Sequence, residues 1–216
     1  MKILFVVSEV APLAKTGGLA DVAGALPKAL VKLGHDVRVV MPLYREVKRE
    51  AGKFQATAVT VSVTLGSRSY EGRVWQGVLP NSTVVVYGIE CAPLFDREGL
   101  YQLRGQDHPD NLQRFSMFSQ AALTMLPSVG WQPAVVHAHD WQSALALAHL
   151  AWGPVSHNPF FSSMATVFTV HNLAYQGLFP AEQWSLTGLP DHQFNLQALE
   201  FYGQVNCLKG GLVSAQ

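Results

Sequence analysis

The chain has 216 residues, 49% apolar and 14% charged, and its Lys+Arg 15 balance its Asp+Glu 15 to a formal net charge of zero. That length buries a substantial core, while the lack of any net charge removes the electrostatic case for a nucleic acid or an anionic membrane as partner. Cys91 and Cys207 lie far apart with no metal-ligand spacing, so free thiols in a reducing cytoplasm are expected over a disulfide.

Lys2–Ser8 is a continuous apolar run, which predicts a strand covered on both faces of a parallel sheet. No small-residue cleavage site follows it and no stretch is long enough to span a membrane, so it reads as a buried strand of a cytoplasmic protein. Leu19–Leu33 has helical spacing and stops at Gly34, with Pro27 predicted to bend it. Asp36–Met41, closed by Pro42, is a second strand, completing the first β–loop–α–β unit of a doubly wound sheet. Phe54–Leu65 and Arg68–Leu79 partly alternate around Gly66-Ser67 and predict an antiparallel hairpin inserted beside the parallel core. Thr83–Ile89 is another strand, and residues 90–111 read as a long, irregular surface loop of the kind that is usually functional. Leu112–Leu126 is helical, with Asp110 or Asn111 as its natural cap. Ala134–Ala138 is a strand, Trp141–Trp152 a helix, Ala165–Val170 a strand, and Phe201–Gln216 the start of a further element. There is no repeat, low-complexity tract or linker, so residues 1–216 are expected to form one Rossmann-like α/β domain with a doubly wound, mainly parallel sheet.

Three polar segments fall just after predicted strands, the edge at which open α/β sheets bind ligands. Lys15-Thr-Gly-Gly18 joins a lysine and two glycines to a helix start, whose unpaired N–H groups and partial positive charge suit a phosphate or diphosphate. An ordinary βα turn with a solvated lysine is the alternative that these residues leave open. The loop is neither G-x-G-x-x-G nor a P-loop, which disfavours a dinucleotide oxidoreductase or an NTPase. Asp21 is a favourable first-turn carboxylate or a ligand contact. His137 and His139 share one strand face, but only one carboxylate lies nearby and spacing reveals no third histidine. Core and edge histidines, and no metal, are therefore expected. There is no D-x-D triplet, which argues against metal-dependent nucleotide-sugar transferases. Asp140 heads a helix, where it serves as N-cap, as a partner for a sugar hydroxyl, or as both. His171-Asn172 opens a loop with Tyr175-Gln-Gly and Phe179-Pro180, whose amide, imidazole and aromatic groups suit a sugar. The alternative there is a turn with a buried histidine bonded to backbone. Tyr101, Asp110 and Asn111, late in the long loop, are further candidates for carbohydrate contact.

Lys15-Thr-Gly-Gly-Leu-Ala-Asp-Val22, His137-Ala-His-Asp-Trp-Gln142 and His171-Asn-Leu-Ala-Tyr-Gln-Gly-Leu-Phe-Pro180 occur in an order and spacing that closely resemble bacterial glycogen synthases and starch synthases, ADP-glucose-type glucosyltransferases of glycosyltransferase family 5. The resemblance runs from Met1 to the last residues. It implies a retaining enzyme that extends α-1,4-glucan from ADP-glucose without a cofactor, built as a GT-B pair of Rossmann-like domains with the site between them. Carried over residue by residue, it places Lys15, Gly17 and Gly18 at the donor diphosphate, Asp21 among the donor-binding residues, and Asn172 on a hydroxyl of the donor glucose. His171 would meet the donor glucose with its backbone carbonyl near the reacting carbon, and Asp140 would hold a glucose hydroxyl; these two are the catalytic candidates. The acceptor, glycogen or a malto-oligosaccharide, would lie along this same domain, near Tyr101, Asp110 and Asn111. Family members are about twice this length, so the chain is expected to be the acceptor-side half, lacking the C-terminal nucleotide-binding domain and inactive alone. The ending Ser214-Ala215-Gln216 departs from the pattern, in which an aspartate follows the alanine, and points to a truncation or altered terminus. A non-catalytic glucan-binding module, or a transferase of the same architecture using UDP-glucose, are the alternatives.

Overall fold

The computed structural model of the chain describes residues 1–49 and 54–216. The apolar run after Met1 forms β1 (Lys2–Val6), with Leu4, Phe5 and Val6 fully enclosed. Helix α1 (Gly18–Lys32) follows, then β2 (Asp36–Pro42) and the short α2 (Arg45–Arg49). The hairpin is β3 (Phe54–Leu65) and β4 (Arg68–Val78), turning at Gly66, whose φ of +58° a side chain would strain. After β5 (Val85–Glu90) come α3 (Ala92–Phe95), β6 (Gln102–Leu103), β7 (Gln106–Asp107) and the long α4 (Asn111–Ser128). The second half is β8 (Val135–His139), α5 (Trp141–Trp152), β9 (Ala165–Thr169), β10 (Leu178–Pro180), β11 (Glu200–Phe201), β12 (Gln204–Asn206) and α6 (Cys207–Ser214).

Seven strands form one sheet in the order β3-β4-β5-β2-β1-β8-β9. From β5 to β9 all neighbours are parallel, and the antiparallel hairpin extends the sheet beyond β5, as the sequence predicts. The chain winds outward from β1 through β2 to β5, then returns to β8 on the other side of β1. The order therefore reverses between β1 and β8, where Phe5 pairs with His137 and Val6 with Ala138. At such a switch point the loops leaving the two strands diverge and open a crevice at their carboxyl ends.

Helix α1 runs uninterrupted through the buried Pro27. It is held close to the preceding loop, because a Cβ on Gly24 would stand 2.5 Å from the Ala11 carbonyl oxygen. The Ala11 N–H donates to the Ala20 carbonyl at 2.9 Å. Residues 90–111 lie mostly at the surface, as predicted, but they are not wholly irregular: they contain α3, β6 and β7. The cause is Arg114 of α4, which is fully buried and donates to the Leu94 carbonyl at 2.8 Å and to Asn111 Oδ1 at 2.7 Å. Its guanidinium lies 5.5 Å from the Phe95 ring centre and 5.3 Å from that of Phe115. A buried cation that satisfies a backbone carbonyl and a side-chain oxygen organises a segment whose sequence shows only turn residues.

Both cysteines are free and buried, as expected, and burial pushes the Cys91 thiol up to about 11 and the Cys207 thiol up to about 12. Among the described residues no helix is long and apolar enough to cross a membrane.

Candidate functional site

The β1 side of the crevice is built on Glu9. This carboxylate is 4% exposed, and a buried charge needs partners. Its Oε2 accepts from the backbone N–H of Thr16 and, at 3.3 Å, from that of Gly17. Its Oε1 lies 2.7 Å from Thr16 Oγ1 and 2.7 Å from the Tyr101 hydroxyl, which is also 2.7 Å from Ser8 Oγ. The segment 15–18 is thus folded onto the end of β1, with the start of α1 facing out. Lys15 Nζ meets Asp21 Oδ1 at 2.6 Å, with the two side chains 51% and 59% exposed. An ion pair this exposed contributes little, so the lysine is free to exchange its partner for an arriving anion. Gly17 has extended backbone, and a Cβ on Gly17 or Gly18 would meet nothing within 4 Å. Neither a left-handed turn nor crowding within the chain calls for glycine there; what glycine preserves is open space before the helix N-terminus.

The β8 side is built on Asp140. Its φ of +56° and ψ of 177° form a conformation that side chains rarely adopt, of the kind found where a site over-determines the backbone. It stands at the N-cap position of α5, yet its side chain makes no capping bond, so the predicted cap is corrected. Instead Oδ1 accepts from the His171 N–H at 2.7 Å, and the Asn172 N–H also points at the carboxylate. Burial raises the Asp140 pKa above the usual carboxylate value, these two N–H groups oppose the rise, and the charge of Glu9 adds a little to it.

Behind Asp140, three imidazoles stack. The His137 and His139 ring centres are 4.1 Å apart, those of His139 and His171 5.3 Å, and Phe5 lies 5.2 Å from His139. His171, carried in by the loop after β9, is the third histidine that spacing did not reveal. His139 Nδ1 is 3.0 Å from His171 Nε2, and His137 Nε2 is 2.7 Å from Thr169 Oγ1. Burial drives the His137 pKa down to about 4 and that of the enclosed His139 well below its usual value, so both rings are neutral near pH 7. These rings stack and pair with one another and with Thr169, an arrangement that fixes the plane of His171. Among the described residues no group of three His, Cys, Asp or Glu side chains is placed to share a metal ion.

The loop after His171 is braced from below. Asn172 Oδ1 accepts from the Ala174 N–H at 2.9 Å and closes a turn. Gly177, at φ +63°, lies against Trp141, where a Cβ would stand 2.6 Å from the indole. The Phe179 ring centre is 5.5 Å from that of Trp141. The N–H groups of Cys207 and Leu208, opening α6, donate to Gly177 and Gln176 at 3.1 and 3.0 Å. Asn206, which caps α6, also donates to Gln176 Oε1 at 2.8 Å.

The three further candidates turn their polar groups inward. Tyr101 places its hydroxyl between Ser8 and the Glu9 carboxylate, and Asn111 donates to the Tyr101 carbonyl at 2.9 Å while accepting from Arg114. Asp110 occupies the N-cap position of α4 without capping it, because Arg97 takes both carboxylate oxygens at 2.8 and 2.9 Å. Beside them lies a hollow of about 430 Å³, bordered by Tyr70, Leu94, Asp110 and Gln113. Sequence reasoning passed over Glu9 and Arg114; the one available signal was a pair of polar residues, Ser8-Glu9, directly after a wholly apolar strand.

The family described as the starch synthase catalytic domain matches residues 2–216. The chain is 48% identical, over its whole length, to a glycogen synthase of Syntrophotalea carbinolica, and 46% identical to glycogen synthase 2 of Geobacter metallireducens. It spans 44% of the length of each. Among solved structures, the catalytic domain of starch synthase IV from Arabidopsis thaliana, bound to ADP and acarbose, superposes on 99% of the chain. That match has a TM-score of 0.85 and 28% identity, and the chain covers 43% of it.

Proposed function

The chain belongs to the starch synthase catalytic-domain family, and we propose that residues 1–216 are the N-terminal, acceptor-side domain of a retaining α-1,4-glucosyltransferase. The full protein would transfer glucose from ADP-glucose to the non-reducing end of glycogen or a malto-oligosaccharide. The observation that carries this reading is the open space at the start of α1, kept clear by Gly17 and Gly18 and flanked by the exposed Lys15. A departing diphosphate there gains a full positive charge and the N–H groups of the first helical turn, all in place before the reaction. Asp21, which pairs with Lys15, gives it up to the diphosphate.

Across the crevice, the donor glucose lies over His171, with hydroxyls directed to the Asp140 carboxylate and the Asn172 amide. Two features fit these roles. The His171 ring is fixed by His139, and the Asp140 carboxylate is fixed by the backbone of His171 and Asn172, so neither group has to reorganise as positive charge grows on the glucose. Tyr101, Asp110 and Asn111 act on the acceptor side by shaping the wall, since their polar groups already have partners. The C-terminal domain contributes the rest of the nucleotide grip. The free, buried thiols fit a cytoplasmic setting.

The test is titration of the chain with ADP. Binding is expected to weaken about tenfold or more in Lys15→Ala, the loss of one charge-assisted contact. Equal binding by Lys15→Ala and the parent chain would remove Lys15 from the diphosphate site.

A further inference from the structure

We propose that Glu9 is the positioning residue of the segment Lys15–Gly18, holding its backbone by hydrogen bonds rather than by charge. The purpose assigned to it rests on the diphosphate reading above; the holding itself does not. A carboxylate beside a site for an anion is unfavourable in itself by like-charge repulsion, so its presence there asks for another reason. The geometry supplies one. Glu9 divides its two oxygens between two kinds of partner: Oε2 takes the N–H groups of Thr16 and Gly17, and Oε1 meets the hydroxyls of Thr16 and Tyr101. One side chain at the end of β1 thus ties down a segment seven and eight residues further along and joins it to Tyr101, more than ninety residues away in sequence.

Two consequences follow. The N–H groups of Thr16 and Gly17 are turned inward and withdrawn from any ligand, leaving those of Gly18 and Leu19 at the open face of α1. The charge of Glu9 is also taken up by four donors within the fold, which lowers its repulsion of an anion outside. The partners make the proposal testable by one isosteric change. In Glu9→Gln the amide oxygen faces the two N–H groups and the amide nitrogen faces two hydroxyls, each able to accept. All contacts survive and the charge is lost.

The experiment is amide hydrogen exchange, resolved by residue, on the chain and its variants. In Glu9→Ala, exchange at Thr16 and Gly17 is expected to accelerate about tenfold or more while amides of β1 and the middle of α1 keep their rates. In Glu9→Gln the rates stay within about threefold of the parent. If Glu9→Ala does not fold, Glu9→Asp, which withdraws the carboxylate by one methylene, is read the same way. Unchanged exchange at Thr16 and Gly17 in the shortened variants would overturn the proposal, and so would failure of Gln to preserve it. A parallel titration with inorganic pyrophosphate, followed at the Gly18 and Leu19 amide signals, separates this from the ligand reading. Parent and Glu9→Gln are expected to respond equally, or Glu9→Gln more strongly, and Glu9→Ala less. If the parent shows no response, the diphosphate reading fails while the exchange rates still decide the role of Glu9.

Discussion

Asp140 concentrates the residue-scale physics of the site. Its positive φ costs about 1–3 kcal/mol for a residue with a Cβ, and its carboxylate recovers part of that by ordering two backbone N–H groups. Asp140→Ala keeps the strain and loses the bonds, whereas Asp140→Gly loses both. Urea unfolding is therefore expected to show Asp140→Ala less stable than Asp140→Gly by about 1 kcal/mol. Equal stabilities would mean that the backbone is not strained. The buried thiols give a simpler test. With Cys91 raised to about 11 and Cys207 to about 12, neither is a thiolate at pH 8, so a thiol reagent should label both only after unfolding. Lys15, Asp140 and His171 were legible as candidates because each stands next to a predicted strand end, where sheet topology alone puts ligands. Glu9 showed only as a polar residue after an apolar run, and what it holds was not legible, because its contact with Tyr101 across ninety residues leaves no local pattern.

At the scale of elements, periodicity carried the long pieces. The five parallel strands and α1, α4 and α5 fall close to their predicted spans, because an apolar run of that length has little else to form. What periodicity could not supply was the use of the side chains between elements. Asp110 and Asp140 sit where caps belong, yet a guanidinium and a neighbouring loop outcompete the helix ends for their oxygens. Arg114 shows the same effect more strongly, for a buried cation in the apolar stripe of α4 reads as an exception until α3 is seen to supply its acceptor. Arg114→Met is expected to destabilise the chain by about 2–4 kcal/mol, because the Leu94 carbonyl and Asn111 Oδ1 lose their donor in a dry interior. Thermal unfolding within a degree of the parent chain would contradict this.

At the scale of the whole molecule, the reversal of strand order between β1 and β8 gathers segments separated by more than a hundred residues at one edge of the sheet, which is why three motifs of modest individual weight make one candidate site. The same interior sets a pH dependence. His149 is buried with Nε2 2.9 Å from the Thr187 carbonyl, and burial lowers its pKa to about 4, as it does for His137. Between pH 4 and 6.5 the unfolded chain binds the protons that these two folded histidines refuse. Stability should therefore be held above pH 6.5 and fall as pH drops through that window, by up to about 1.4 kcal/mol per pH unit for each histidine. His149→Gln should show a shallower slope, and an unchanged slope would take His149 out of the effect.

The chain spans 44% of its curated relatives, so its role is best tested in the setting of a whole enzyme. The N-terminal half of the Syntrophotalea carbinolica glycogen synthase would be replaced by residues 1–216, and transfer of labelled glucose to glycogen measured beside residues 1–216 alone. Transfer by the hybrid from ADP-glucose, well above that from UDP-glucose and lost in Lys15→Ala, with none from residues 1–216 alone, is the expected outcome. Turnover by residues 1–216 alone, or a folded hybrid that binds glucan but transfers nothing, would contradict the assignment of this crevice as half of a glucosyltransferase site.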